Sequence, residues 1–325
     1  MKWQSSYVQS SVFLIGLGSI AVKYDLADLS TLGKTHARAV DSHKDFILAG
    51  GYDPSEKHRL DFFRHYNKMA FENLEYGLKK TNPEVVVIAS PTEKHLQSLE
   101  EILLWSNPRL ILCEKPISLA LEDANRMVRL CAERNIPLFV NYFRNSEPST
   151  FQIANAINIQ KLTQPFTGSC TYNKGALHTA THFLNLFELW FGDAIEFKFI
   201  CEKFNSHNPQ DPNIEFEVRY QGGLMKFHVD ISSNSLAFHS SIDFSNGLLE
   251  YRKEGEEIYW TESEDTGNSR KQPSNSVEKF ESLAKQAQYN VWNEISNYIH
   301  LRSYRLCSAQ DAIRYIIQIS NLRGK

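Results

Sequence analysis

The chain has 325 residues, with 35 Lys plus Arg against 38 Asp plus Glu, a formal charge of −3, and is 42% hydrophobic and 22% charged. So small a net charge gives no global pull toward nucleic acid or anionic lipid, and 20 Phe, 14 Tyr and 5 Trp exclude a disordered chain. At ~100–200 residues per domain the length predicts two domains.

Val12–Leu17 is too short for a signal-peptide core and runs into glycines, and no stretch approaches the ~20 apolar residues of a membrane span. The expectation is a cytoplasmic protein with no membrane and no nucleic-acid partner. Five scattered cysteines (Cys113, Cys131, Cys170, Cys201, Cys307), with no Cys-x-x-Cys pair, predict reduced thiols and neither a zinc site nor a disulfide framework.

In chain order, apolar runs predict strands at Val12–Ile15, Phe46–Tyr52, Val85–Ala89, Leu110–Cys113 and Leu138–Val140. Helical spacing lies between them, as in Thr92–Trp105 and Leu121–Arg134. Strand and helix in alternation imply a doubly wound parallel sheet. After about Arg144 the pattern becomes period-two, over Ile195–Cys201, Ile214–Tyr220, Leu224–Ile231, Phe238–Phe244 and Leu248–Arg252, with hairpin signals at Gln221–Gly223 and Ser245–Gly247. That predicts a mainly antiparallel sheet. Lys253–Ser276 is polar and predicts an exposed loop, with a short strand at Ile258–Trp260, and Val277–Leu301 and Ala309–Leu322 predict closing helices. The fold class is α/β, with residues 1–144 and 145–325 as the two domains.

The first strand runs into Gly16-Leu17-Gly18-Ser19-Ile20-Ala21, a Gly-x-Gly-x-x-Ala turn at the first strand-to-helix junction. The first glycine permits the turn, the second lets a pyrophosphate reach the backbone around Ser19 and Ile20, and the small third residue packs helix on sheet. Asp53, at the end of the second strand, fits the acid that binds the adenosine ribose, or a turn residue before Pro54. It lies 53 − 18 = 35 residues beyond Gly18, against an expected ~20, which implies an insertion over Val22–Lys34 that forms a loop before the helix containing His36. An acid there favours NAD, and Lys57 and Arg59 keep NADP possible. At the end of the fourth strand, where open α/β sheets place ligands, Lys115 can polarise a substrate oxygen or simply pair with Glu114.

These motifs resemble, in their order, the Gfo/Idh/MocA oxidoreductases, the relatives of glucose-fructose oxidoreductase and inositol dehydrogenase. The likeness rests on Gly16–Ala21, His36-Ala37-Arg38-Ala39, Ala89-Ser90-Pro91-Thr92 with His95, Glu114-Lys115-Pro116, Asn141-Tyr142-Phe143-Arg144, Lys174-Gly175-Ala176 and His182-Phe183-Leu184-Asn185. It implies an amino-terminal Rossmann domain and a carboxy-terminal α/β domain with a large open-faced antiparallel sheet. It further implies a final helix that packs back on the first domain, and a homodimer or homotetramer formed through the sheet. The implied activity is hydride transfer between nicotinamide and a carbinol or ketone carbon of a sugar-type substrate.

By the same resemblance Lys115 and His182 are catalytic, and His182, with an ordinary pKa of ~6.5, suits proton transfer at the reacting oxygen. Ser90, Pro91, Thr92, His95 and Glu114 join Gly16, Gly18 and Asp53 at the cofactor; on the residues alone, Thr92 reads equally as a helix cap and His95 as a first-turn surface residue. Tyr142, His178 and Asn185 face substrate, and Arg144 either meets a substrate anion or braces the domain junction. The family often has aspartate where this chain has His178 and Asn185. A Lys115, His178, His182 cluster suits a substrate with its own carboxylate or phosphate, such as a nucleotide sugar or sugar acid of surface-polysaccharide synthesis. His178 and His182 are spaced i, i+4, but no third ligand is evident and no metal is expected. The alternatives are a catalytically silent dinucleotide-binding regulator, or a reductase of a carbon–nitrogen or conjugated double bond.

Overall fold

The computed structural model describes residues 9–26, 32–205, 208–232, 235–264, 272–300 and 303–323, so the readings of residues 1–8 and of the middle of the insertion, 27–31, lie outside it. Two compact units emerge, one of residues 1–146 with 285–313 and one of residues 147–284 with 314–325. The chain crosses between the units at Ser146/Glu147 and again at Ala284/Lys285, and the last helix, Ala309–Arg323, is divided between them.

The first unit contains β1 (Ser10–Ile15), α1 (His36–Ser42), β2 (Phe46–Tyr52), α2 (Glu56–Tyr66), β3 (Ala70–Phe71), α3 (Leu74–Thr81), β4 (Val85–Ile88), α4 (His95–Trp105), β5 (Leu110–Cys113), α5 (Leu121–Glu133) and β6 (Leu138–Val140). The strand order is β6-β5-β4-β1-β2-β3, all parallel, with the two-residue strand Cys307–Ser308 antiparallel on β6. That order is doubly wound, and it reverses between β1 and β4, where such sheets open a ligand crevice beyond their carboxyl ends. Strands covered on both faces read as continuous apolar runs because no position faces water: every residue of β4 and β5 is buried. A helix needs only one apolar stripe, and α5 buries Ala124, Met127 and Cys131. Helix Ala287–His300 closes the core: Trp292 and Ile295 join the buried cluster that holds Val12, Leu14, Val85 and Leu110, and Trp292 packs on Phe46 with ring centres 4.7 Å apart.

The second unit contains α6 (Pro148–Asn158), β7 (Phe166–Tyr172), α7 (Thr181–Phe191), β8 (Glu196–Lys203), β9 (Asn213–Tyr220), β10 (Gly223–Val229), β11 (Phe238–Phe244), β12 (Gly247–Arg252), β13 (Glu257–Glu264) and β14 (Gln272–Phe280). Its eight strands run β14-β13-β12-β11-β7-β10-β9-β8, and only the β7–β10 pair is parallel. Phe183 of α7 stacks on Phe238 at 3.7 Å, and Trp190 Nε1 donates to Thr150 O at 2.9 Å, fixing α7 to both sheet and α6.

Two expectations are corrected. The polar stretch after Lys253 is largely strand, because β13 turns Ile258 and Trp260 into the core and its intervening polar residues outward. The helix expected from Val277 begins at Ala287, since Val277–Phe280 still pair with β13 and Val277 is exposed. Strand β7 gives little sequence signal because Thr167, Ser169 and Thr171 occupy one face and Gly168 interrupts the apolar other. No helix among the described residues is long and apolar enough to cross a membrane.

Candidate active site

Gly16 ends β1 at φ +87°, and a Cβ there would lie 2.6 Å from Ala89 O and 2.7 Å from Ser90 N, so only glycine lets β1 approach the loop after β4 this closely. At Gly18, by contrast, a Cβ would meet nothing within 4 Å, which leaves the open cradle that a pyrophosphate requires.

Beyond Gly18 the expected helix starts but is interrupted. Val22 N–H donates to Gly18 O at 3.0 Å and Lys23 N–H to Ser19 O at 3.1 Å. The next two rungs come from further along the chain: His36 N–H reaches Ile20 O at 3.2 Å, and Ala37 N–H reaches Ala21 O at 2.9 Å. An uninterrupted helix would use residues 24 and 25 there, so 36 − 24 = 12 residues are looped out of a ladder that continues into α1. Removing them brings the Gly18-to-Asp53 spacing to 35 − 12 = 23, close to the expected ~20. The insertion is therefore a loop spliced into the helix, with Val22 and Lys23 still part of the first turn.

Asp25 ties the splice together. Its buried carboxylate accepts from Lys34 N–H at 2.9 Å, Thr35 N–H at 2.6 Å and Thr35 Oγ1 at 2.7 Å. Thr35 Oγ1 in turn accepts from Arg38 N–H at 3.3 Å as the N-cap of α1.

A cleft of about 710 Å³ opens at this point of the first unit, lined by Gly16, Gly18, Ser19, Ile20, Asp53, Ser90 and Pro91 among the expected residues. Tyr24, Ser55, His58, Gln97, Ser98 and Glu101 also line it and were not expected. Tyr24 comes from the insertion, which has no motif to announce it. Asp53 is buried; its carboxylate accepts Leu17 N–H at 2.8 Å and Ser55 N–H at 2.8 Å, and lies 3.0 Å from His58 Nδ1. Lys23 Nζ is 2.7 Å from His58 Nε2. Since the ammonium can only donate, Nε2 accepts and Nδ1–H donates to Asp53. Arg59, which was counted toward NADP, spends one guanidinium nitrogen on the Asp53 and Pro54 carbonyls, each at 2.9 Å.

Thr92, His95, Glu114 and Lys115 are not among the residues lining this cleft. The capping alternative for Thr92 fails, because the cap position of α4 is Lys94 and no side chain caps it. The surface alternative for His95 fails too: it is buried, with Nε2 3.0 Å from Ser90 O and Nδ1 3.1 Å from Ile117 O and 3.3 Å from Cys113 Sγ. Burial holds its pKa below the ordinary value against these carbonyls. His95 thus braces the loops that carry Ser90 and Lys115. Glu114 accepts from His36 Nε2 at 2.9 Å and from Asn141 Nδ2 at 2.6 Å, and Asn141 also donates to Gln288 Oε1 at 3.0 Å. Burial pushes the Glu114 carboxyl up, but the His36 and Asn141 hydrogen bonds and the charge of Lys115 outweigh it and hold it below the usual range. Glu114 is therefore an internal anchor beneath Lys115, which is itself half-buried. Tyr142 and Arg144 are buried, with the Arg144 guanidinium 4.5 Å from the centre of the Phe143 ring.

In the second unit His178 lies in a wide helical turn, Ala176–Ala180, that leads into α7, and His182 and Asn185 lie on α7. Asn185 Nδ2 donates to Tyr315 Oη at 3.1 Å, and Tyr315 Oη donates to Glu188 at 2.7 Å, so Asn185 packs α7 on the last helix. His182 is buried, its ring perpendicular to that of Phe238 with centres 6.2 Å apart. His178 Nδ1 is 2.7 Å from Asp211 Oδ2. Asp211 was not expected, being 33 residues away in a loop rich in Asn, Pro and Asp. No group of three or more His, Cys, Asp or Glu among the described residues could hold a metal.

The model of the oxidoreductase family with an NAD-binding Rossmann fold, GFO_IDH_MocA, matches residues 12–142. The match lies within the first unit and covers about two fifths of the chain. Among curated proteins, rhizopine catabolism protein MocA of Rhizobium meliloti is 25% identical over 145 residues, 45% of each chain, so the match spans under half of that relative. Among solved structures, the WlbA dehydrogenase of Bordetella pertussis in complex with NADH and UDP-GlcNAcA superposes with TM-score 0.72 at 13% identity, covering 98% of this chain and 96% of that one. The super-repressor mutant of Gal80p from Saccharomyces cerevisiae superposes with TM-score 0.77 at 12% identity, covering 98% and 95%. At such identities the structural likeness, which covers both units, shows the fold alone.

Proposed function

We propose that this chain is a member of the Gfo/Idh/MocA oxidoreductases, an NAD(P)-dependent enzyme that interconverts a carbinol and a ketone on a sugar-type substrate. The observation that carries this is the cleft at the sheet's switch point, where Gly16 brings two loops together and Gly18 leaves an open cradle. Gly16, Gly18, Ser19, Ile20, Asp53, Ser90 and Pro91 would hold the dinucleotide, which when bound supplies a hydride acceptor or donor. NAD is the preferred form, because a 2′-phosphate would face Asp53; the neighbouring Lys23 lets NADP bind more weakly.

Lys115, braced by Glu114 and His36, and His182 on α7 are the groups proposed at the reacting oxygen, where the ammonium polarises it and the imidazole hydrogen-bonds to it. A nucleotide sugar or sugar acid is the favoured substrate class, supported by the basic character of Lys115, His178 and His182 and by the UDP-GlcNAcA bound to the similar WlbA fold. A homo-oligomer formed through the second unit's sheet belongs to the same proposal.

A second reading, a catalytically silent dinucleotide-binding regulator, draws on His178 and Asn185 where the family often has carboxylates, and on the likeness to Gal80p. Lys115→Ala and His182→Ala separate the two. The oxidoreductase loses turnover of sugar substrates in both variants while still binding NADH, whereas a silent binder shows no substrate-dependent nicotinamide absorbance change even as wild type.

A further inference from the structure

The acid expected to meet the adenosine ribose is largely occupied from within the protein. An ionised carboxylate offers about four acceptor positions. Asp53 Oδ2 uses two, on Leu17 N–H at 2.8 Å and His58 Nδ1–H at 3.0 Å, and Oδ1 uses one, on Ser55 N–H at 2.8 Å. A single position is left for a ribose diol that brings two hydroxyls. The same imidazole also fixes a cation: Lys23 Nζ is 2.7 Å from His58 Nε2. An ammonium has three N–H groups, so two remain to donate elsewhere. Arg59 is committed away from this place, with one guanidinium nitrogen on the Asp53 and Pro54 carbonyls and the other 3.6 Å from Glu72. His58 lines the cleft and its side chain is 26% exposed, so a ligand in the cleft lies against this chain of Asp53, His58 and Lys23.

We infer that His58 sets the choice between the two nicotinamide dinucleotides. This rests on the dinucleotide assignment of the cleft and goes on to name the residue that tunes it. Both ring nitrogens are engaged, so His58 acts through its neighbours and is a positioning residue. By donating to Asp53 Oδ2 it removes an acceptor that the free diol of NAD would use. By accepting from Lys23 it holds the ammonium one imidazole away from the acid. There the cation offsets the repulsion between Asp53 and a 2′-phosphate, and its two remaining N–H groups can make charge-assisted hydrogen bonds to that phosphate. The site therefore prefers NAD without excluding NADP. An apolar side chain at position 58 would return Oδ2 to the diol and release Lys23, which makes the site more selective for NAD.

The test uses the full-length protein. Fluorescence titration with NADH and with NADPH gives the ratio of the two dissociation constants for wild type, His58→Leu and His58→Gln. His58→Leu is expected to tighten NADH and weaken NADPH, moving the ratio about tenfold toward NADH, the scale of one hydrogen bond gained and one lost. A glutamine amide again offers an N–H to Asp53 and an oxygen to Lys23, so His58→Gln is expected to stay within about threefold of the wild-type ratio. Imidazole ¹⁵N NMR of the wild type at neutral pH, with the His58 signal identified by its loss in His58→Gln, is expected to show the Nδ1–H tautomer. A His58→Leu protein that weakens both cofactors alike, or leaves their ratio within about twofold, overturns the inference. So does a His58→Gln protein that shifts the ratio as far as His58→Leu, and so does an Nε2–H tautomer in the wild type, a reading that needs no cofactor. A wild type that binds neither NADH nor NADPH overturns the dinucleotide assignment and this inference with it, whereas an unmoved ratio overturns this inference alone.

Discussion

Replacing Asp25 with alanine tests whether the amino-terminal insertion is a loop held onto a continuous helix. The substitution strips the acceptor from Lys34 N–H, Thr35 N–H and Thr35 Oγ1, in a place where Asp25 is 1% exposed. Each lost hydrogen bond is worth ~0.5–1.5 kcal/mol net, and loss of a helix cap typically ~1 kcal/mol, so Asp25→Ala should cost about 2–4 kcal/mol. For a unit of this size that is a fall in melting temperature of roughly 4–16 °C. Deleting residues 24–35 and joining Lys23 to His36 should cost less. It removes the donors together with their acceptor and lets the Gly18-to-Ala37 ladder run without a break. Circular-dichroism melting of both variants beside wild type is the assay. An Asp25→Ala protein as stable as wild type would falsify the anchoring role, and a deletion protein that fails to fold would refute the splice.

Other consequences are open to simple checks. Burial holds both His43 and His95 below the ordinary histidine value, His43 against an Asn293 hydrogen bond and the Asp45 charge. The unfolded chain therefore takes up protons near pH ~6.5 that the folded chain refuses; stability is full above that pH and declines as pH drops below it. Melting temperatures at neutral pH and near pH 5.5 should differ in that sense, and a rise on acidification would contradict it. At the cofactor, Lys23→Ala should weaken NADPH about tenfold more than NADH, roughly 1.4 kcal/mol, because only a 2′-phosphate uses that ammonium. Equal weakening in fluorescence titrations would place Lys23 outside the ribose end of the cleft.

Much of the first unit is legible in the sequence because its strands are buried on both faces, so that Val85–Ile88 and Leu110–Cys113 have no polar position to blur them. Gly16 is legible because backbone crowding by the loop after β4 dictates the residue type, and Gly18 because a missing side chain there leaves the cradle open. What escapes are partnerships made across loops. Asp25 and Asp211 each anchor backbone N–H groups at the start of a helical segment, and nothing in their neighbours marks either for that duty. His95 reads as a surface residue of a first turn, and only tertiary packing buries it between Ser90 and Ile117. The outer strands β13 and β14 escape because their polar composition alone scores them as loop.

The central claim is that the cleft beside Gly18 holds a nicotinamide dinucleotide, and one titration tests it. Gly18→Val points a side chain into space where nothing lies within 4 Å, so the fold should tolerate it while the cradle is filled. NADH fluorescence titration should show saturable binding by wild type and none by a Gly18→Val protein of unchanged melting temperature. Equal NADH affinity in the two proteins, or no binding by wild type, would contradict the account.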